Sequence, residues 1–236
     1  IDGGANNGSS VRLFKNHYPD ADEFEIHSFE CHPGFHKYFA TEIESVNFYP
    51  KALSTSNGIA NFYLGRTPLS STLRTDKTSG NIQYGNPIQV ETIDLVEFIK
   101  NTFNKEDEIV LKLDVEGAEY EIFINMNDSL IKRFRIMVIE FHSLQKLYSS
   151  YFFPFAEHVF NKILKTHSCV HIHPNNGIGI DSRKGIDVPR TCEFTFLRND
   201  RIKTRSFETS FPHKLDYKNV KNKEEISLPK QWYYKK

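Results

Sequence analysis

The chain has 236 residues, with 30 Lys and Arg against 30 Asp and Glu, so no net charge is present that would by itself hold nucleic acid or an anionic membrane. Its 20 Phe and 11 Tyr supply the core of one sizeable domain, and no stretch approaches the ~20 apolar residues of a membrane span. Three cysteines, Cys31, Cys169 and Cys192, form no C-x-x-C pair, which excludes a disulfide framework and argues for a reducing, cytoplasmic setting.

Strand and helix signals alternate, which predicts an α/β fold with a doubly wound sheet. The first strand ends at Asp2 with almost no apolar lead-in, so the natural chain is expected to extend before Ile1 or to belong to a larger polypeptide. A turn of small and amide residues, 3–8, leads into a helix over 9–17. Such a turn tolerates positive φ and leaves the backbone bare for a ligand, while the helix start offers free N–H groups. Its Gly4-x-x-x-Gly8 spacing is not the dinucleotide fingerprint. The alternating stretch 24–29 ends at Glu30, where a parallel strand places a carboxylate able to grip ribose hydroxyls. A helix over 34–42, a strand over 46–49 and an extra strand over 59–64 come next. Residues 65–89 are rich in Gly, Ser, Thr, Asn and Pro and read as a long loop, a mobile lid. Asp94 caps a helix over 95–102, because its side chain accepts from a free N–H.

A strand over 109–114, a helix over 118–126, a strand over 135–141 and a helix over 155–165 follow. Strands over 169–173 and 192–198 close the pattern, with Cys169 and Cys192 expected as small buried hydrophobes on neighbouring strands. Between them, residues 174–190 carry two Pro and three Gly and read as an irregular loop facing the site. Residues 1–198 are expected to form the domain. Residues 199–236, with ten Lys and Arg against five Asp and Glu, read as a basic C-terminal appendage.

Ligands of open α/β sheets sit beyond the carboxyl ends of the strands. Asp2, Glu30, Asp114 and residues 140–142 fall at such ends. Asp114, Glu116, Glu119, Glu140 and His142 are the available proton acceptors, and crowded carboxylates raise one another's pKa. Asp114 is expected to position, and His142 or Glu119 to take a proton. Lys112 shares the strand face of Asp114 by period two and pairs with it. Oxygen ligands at Asp114 and Glu140 also suit Mg²⁺, but no ligand-specific spacing supports a metal and none is assigned. His171 and His173 alternate onto one face. Asn175 and Asn176 can hydrogen-bond a substrate, and Glu193 faces the same cavity. Lys218, Lys221 and Lys223 with Trp232, Tyr233 and Tyr234 raise nucleic acid as an alternative to a solvated face with an aromatic anchor.

Several segments together resemble FkbM-type methyltransferases dependent on S-adenosylmethionine (SAM). They are Phe29-Glu30-Cys31-His32-Pro33, Leu111-Lys112-Leu113-Asp114-Val115-Glu116-Gly117-Ala118-Glu119 and Val138-Ile139-Glu140-Phe141-His142, with Val90-Glu91-Thr92-Ile93-Asp94 and Ser70-Ser71-Thr72-Leu73. The resemblance spans roughly residues 1–198, and the string 114–119 is its most specific part. It implies a Rossmann-like class I methyltransferase fold: a mostly parallel seven-stranded sheet with an antiparallel edge strand. It also implies SAM as donor, S-adenosylhomocysteine as product, and a hydroxyl acceptor on a sugar or glycan. On that reading Asp2, Gly4, Ala5, Asn6, Gly8 and Ser9 shape the methionine pocket. Glu30 and Cys31 lie at the ribose, Ala52 and Leu53 border adenine, and Asp114 also touches the cofactor. Ser70, Ser71, Glu116, His173, Asn175, Asn176 and Glu193 are the expected acceptor-binding set. Asn6-Asn7 and Cys31-His32 depart from the family pattern, and Asn6 narrows the methionine end. The sequon Asn7-Gly8-Ser9 lies inside the cofactor turn, where a glycan would block it, which argues against secretion. Two alternatives remain open: an RNA 2′-O-methyltransferase, disfavoured because no spaced Lys-Asp-Lys-Glu set is apparent, and a non-catalytic SAM-fold binding module of a larger glycan-assembly protein.

Overall fold

The computed structural model describes residues 1–41, 43, 45–65, 71–73, 86–208 and 210–232. Strand β1 (Asp2–Gly3) passes through helix α1 (Ser9–His17) to β2 (His27–Phe29), and α2 (His36–Thr41) leads to β3 (Asn47–Tyr49). Then β4 (Ala52–Ser54), β5 (Gly58–Phe62) and β6 (Ile88–Asp94) build a separate three-stranded sheet in the order β4-β6-β5. Helix α3 (Leu95–Thr102) precedes β7 (Ile109–Leu113); α4 (Glu119–Asn125) and α5 (Asp128–Ile131) precede β8 (Phe134–Phe141). Helix α6 (Phe152–Leu164), β9 (His167–Pro174), the pair β10 (Ile180–Arg183) and β11 (Ile186–Pro189), and β12 (Cys192–Arg198) complete the order. Seven strands form the main sheet, β3-β2-β1-β7-β8-β12-β9.

Local chemistry accounts for these elements. In α3, Leu95, Phe98 and Ile99 recur at helical spacing and are buried, each burial stabilising by about 1.5–3 kcal/mol. Its N-terminus is capped by Asp94, whose Oδ1 accepts from Val96 N at 2.8 Å and Glu97 N at 3.1 Å. Ala156, Val159 and Ile163 make the buried stripe of α6, and Phe160 packs on Phe141 of β8 at 4.7 Å between ring centroids. The helix starts at Phe152, earlier than its hydrophobic pattern indicates, because Pro154 lies in the first turn, where a missing N–H costs nothing. The region 34–42 divides into a short 3₁₀ turn, Pro33–Phe35, and α2.

The far side of the sheet differs from the simple expectation. Strand β12 runs antiparallel to both β8 and β9, so the reversed strand lies one place inside and β9 is the edge. Residues 174–190 are not irregular throughout: β10 and β11 form a hairpin whose two-residue turn, Lys184-Gly185, takes φ of 51° and 75°. Positive φ at both positions is the turn geometry that matches strand twist, and Gly185 supplies it without strain. Cys192 is buried but Cys169 is exposed; they register with Pro174 and Phe196 and do not face each other. The expected lid falls mainly on residues outside those described, although Ile88 and Gln89 belong to β6. The C-terminal segment folds back on the sheet, with Leu228 in the main core and Trp232 packed against it.

Candidate active site

Sheet order reverses between β1 and β7, and the carboxyl ends of β2, β1, β7 and β8 open side by side there. A cavity of about 650 Å³ lies over them, within the roughly 300–1,000 Å³ of small-molecule sites.

One end of the cavity is built by the first turn. Gly4 N and Ala5 N both donate to Phe29 O at 3.0 Å, which stitches the turn to the end of β2. The carboxylate of Glu30 accepts from Asn6 N at 2.8 Å through Oε2 and from His32 N at 2.7 Å through Oε1. Each oxygen therefore keeps acceptor capacity for a further donor. Gly4, with φ of 71°, approaches β7 so closely that a Cβ would lie 1.8 Å from Asp114 O. Gly4→Ala is accordingly expected to lose at least about 1–2 kcal/mol from the left-handed backbone alone, read as a denaturant midpoint. An unchanged midpoint would mean the turn is not locked. Gly4, Asn6, Glu30, Cys31, Ala52 and Leu53 all line the cavity.

Other residues of the expected cofactor set lie elsewhere. Ala5 is buried, and Gly8 has no room for a side chain because Ile43 Cδ1 would meet its Cβ at 1.8 Å. Gly8 and Ser9 do not line the cavity. Asp2 is also buried away from it, its Oδ2 accepting from Ser10 Oγ at 2.8 Å. Lys112 holds the turn from behind: Nζ donates to Gly4 O at 2.6 Å and Gly3 O at 3.2 Å. It lies 3.6 Å from Asp114 Oδ2 and 3.8 Å from Asp2 Oδ1. Burial opposes its charge, but Asp114, Asp2, Glu140 and Glu30 outweigh that and raise its pKa.

The ends of β7 and β8 carry the densest cluster of charge. His142 Nδ1 lies 3.0 Å from Glu119 Oε1, while Nε2 lies 3.3 Å from Glu140, 3.5 Å from Glu116 and 3.9 Å from Asp114. Burial alone would discharge His142, but Glu119 and Glu140 reverse it and push its pKa up to about 10. Glu119 is fully buried behind the ring and also accepts from Val115 N at 3.2 Å and Gly117 N at 3.0 Å. Against burial, His142 and the backbone amides of Gly117 and Glu119 hold its carboxyl below the usual range. Asp114 and Glu140 split: burial and then Glu140 push Asp114 up to about 7, and His142 with Asn175 holds Glu140 down, against burial, to about 2. One carboxyl of the pair is thus poised near neutrality. Asp114, Glu140 and His142 each offer a ligand atom, all within 4.8 Å of one another, the set that would hold a divalent cation.

Backbone geometry fixes this cluster. Glu116 takes φ of 58° and Gly117 113°, bending the segment between β7 and α4 so that Glu116 turns back towards His142. Thr72 Oγ1 donates to Glu116 O at 2.9 Å, and Tyr120 Oη donates to His142 O at 3.0 Å. Asn175 Nδ2 donates to Glu140 Oε1 at 3.0 Å.

Among the expected acceptor residues, Ser71, Glu116, Asn175 and Glu193 line the cavity, whereas Asn176 and His173 do not. Those two face the C-terminal segment, His173 at 3.5 Å from Glu225 and Asn176 bonded to Val220. Ser70 lies outside the described residues. Burial and then Glu140 raise the pKa of Glu193. The thiol of Cys31 is also raised, by burial and then Glu30, so it stays protonated. Sequence reading missed Phe35 and Phe62, which line the cavity, and Asn219 and Val220, which line it from the C-terminal segment. Period two along β5 could have singled out Phe62; no local signal marks Asn219.

No curated protein and no solved structure matches the chain. No helix among the described residues is long and apolar enough to cross a membrane. A family model described as the methyltransferase FkbM domain does match, over residues 2–169. That span runs from the first turn through Glu30, Asp114 and His142, and its length settles the classification. The chain belongs to the FkbM methyltransferase family.

Proposed function

We propose that the protein is a SAM-dependent O-methyltransferase whose acceptor is a hydroxyl of an uncharged sugar or glycan. The observation that carries this reading is a single cavity that receives both the Glu30 end and the Asp114–Glu140–His142 cluster. The residues fit the donor: Glu30 keeps acceptor capacity for paired hydroxyls, Gly4 leaves its side bare, and Phe62, Leu53 and Ala52 offer an apolar wall for a base. SAM, when bound, supplies the methyl group on a sulfonium.

The remaining chemistry belongs to the chain. Asp114 is the general base, because it lines the cavity and its carboxyl titrates near neutrality. This departs from the expectation that His142 or Glu119 takes the proton. His142 already carries one at neutral pH, and Glu119 is sealed behind it. His142 is instead the fixed positive centre that keeps Glu140 and Glu119 ionised, and Glu119 orients its ring. No ligand-specific spacing supports a metal, so none is assigned; Asp114, Glu140 and His142 are where Mg²⁺ would enter.

Charge supports the acceptor class. Glu30, Asp114, Glu116, Glu140 and Glu193 line the cavity against one imidazolium, His142, and its Lys51 is paired with Glu91 at 2.8 Å. Such a lining repels phosphates, which disfavours RNA. The basic tail does not offset it: Lys223 Nζ donates to Gly177 O, Lys218 lies near Glu224, and Trp232 Nε1 donates to Asp187 O. The test is incubation with labelled SAM and a mixed glycan extract, followed by mass analysis, with RNA and a chelator as parallel arms. Label on a glycan hydroxyl in the presence of chelator supports the reading. Label on RNA alone overturns the acceptor, and SAM affinity without any incorporation favours a non-catalytic module.

A further inference from the structure

We propose that the C-terminal segment forms the acceptor-side wall of the cavity, and that Asn219 is a specificity-determining residue for the methyl acceptor. This rests on the methyl-transfer reading and deepens it.

The segment is pinned to the sheet at several points. Asn176 is buried and spends its side chain on two residues of the segment: Oδ1 accepts from Val220 N at 2.8 Å, and Nδ2 donates to Val220 O at 3.1 Å and Lys223 O at 3.2 Å. Lys223 Nζ returns a bond to Gly177 O at 2.9 Å. His171 meets Asp216 at 2.7 Å, and His173 meets Glu225 at 3.5 Å. Ile226 and Leu228 are buried beyond these pins. Contact at Gly177 is close enough that a Cβ there would lie 2.9 Å from Val220 Cγ2.

These pins deliver Asn219 and Val220 to the cavity that Asn175 and Glu193 also line. Asn219 is exposed at the rim, and its amide makes no hydrogen bond among the described residues. It offers both a donor and an acceptor to a neutral polyhydroxylated ligand. The family match ends at residue 169, so the Glu30 end and the Asp114–His142 cluster fall inside it. Asn175, Thr191, Glu193, Asn219 and Val220 all fall outside. The chemistry is thus built from the shared region, and the wall that meets the acceptor from this chain's own C-terminal third.

The experiment uses the full chain, labelled SAM and a fixed panel: methyl glycosides of neutral hexoses, methyl glycosides of hexosamines, and hexose phosphates. Wild type, Asn219→Ala and Asn176→Ala are compared for acceptor KM, kcat, acceptor ranking, S-adenosylhomocysteine affinity and thermal midpoint. Because Asn219 is exposed, Asn219→Ala is expected to fold as wild type. It should raise the KM of the preferred glycoside about 3- to 10-fold, the loss of one hydrogen bond. Product affinity should stay unchanged, and the ranking of glycosides should shift. Asn176→Ala should raise the same KM without changing product affinity. Unchanged KM and ranking in Asn219→Ala overturn the proposal. A parallel loss of product affinity in both variants overturns it too, by showing only a structural role. If wild type binds S-adenosylhomocysteine but labels nothing in the panel, the methyl-transfer reading fails and this proposal falls with it.

Discussion

Asp114→Asn is expected to lower kcat by about 10²–10⁴, the range set by a positioned general base. Asn keeps the shape of the side chain but cannot take a proton, and it also removes the negative charge beside Lys112. The pH profile carries the sharper signature. A base acts in its deprotonated form, so kcat of the wild type should rise with pH as the Asp114 carboxyl ionises near 7. It should fall again as the His142 imidazolium loses its proton near 10. In Asp114→Asn the rising limb near neutrality should vanish. A variant that retains that limb would transfer the role to another group.

His142→Ala is expected to destabilise the fold by about 3–5 kcal/mol, the cost of removing one partner from a buried ion pair. Glu119 is fully buried, and its two backbone amides do not replace the imidazolium 3.0 Å away. The sign of the pH dependence follows from the raised pKa. The folded His142 holds its proton to about pH 10, above its ordinary value of 6.5. Its stabilisation is therefore fully present below pH 6.5 and is lost as pH rises through 10. Denaturant midpoints of wild type and variant should differ most below pH 6.5 while the carboxylates remain ionised, and converge at high pH. A gap that is independent of pH would assign the loss to a cavity instead.

Those two residues also show how far the sequence could be read. Asp114, Glu140 and His142 stood out because alternating apolar strands end at them, and period-two patterning is a local property. Capping of α3 by Asp94 was legible for the same reason: one side chain and the next three residues decide it. The division of labour within the cluster was not legible. It depends on His142 reaching Glu119 across 23 positions and on the inverted backbone at Glu116, neither of which a spacing rule supplies. Asp2 misled because a strand-end carboxylate looks alike whether it meets ligand or, as here, Ser10. The hairpin β10–β11 hid behind Gly and Pro that read as loop, and the placement of Asn219 depends on Asn176, 44 positions from Val220. Contacts of that range leave no periodic trace.

The most direct test of the whole account is calorimetric titration with S-adenosylhomocysteine, comparing wild type with Glu30→Ala. Glu30 is the carboxylate that binds the first turn through Asn6 N and faces the cavity. Wild type should bind one equivalent, and the variant at least about 100-fold more weakly, the loss of two charge-assisted hydrogen bonds at about 1.5–3 kcal/mol each. No heat from folded wild type at millimolar ligand, or equal affinity in the two proteins, would contradict the assignment of this cavity to SAM.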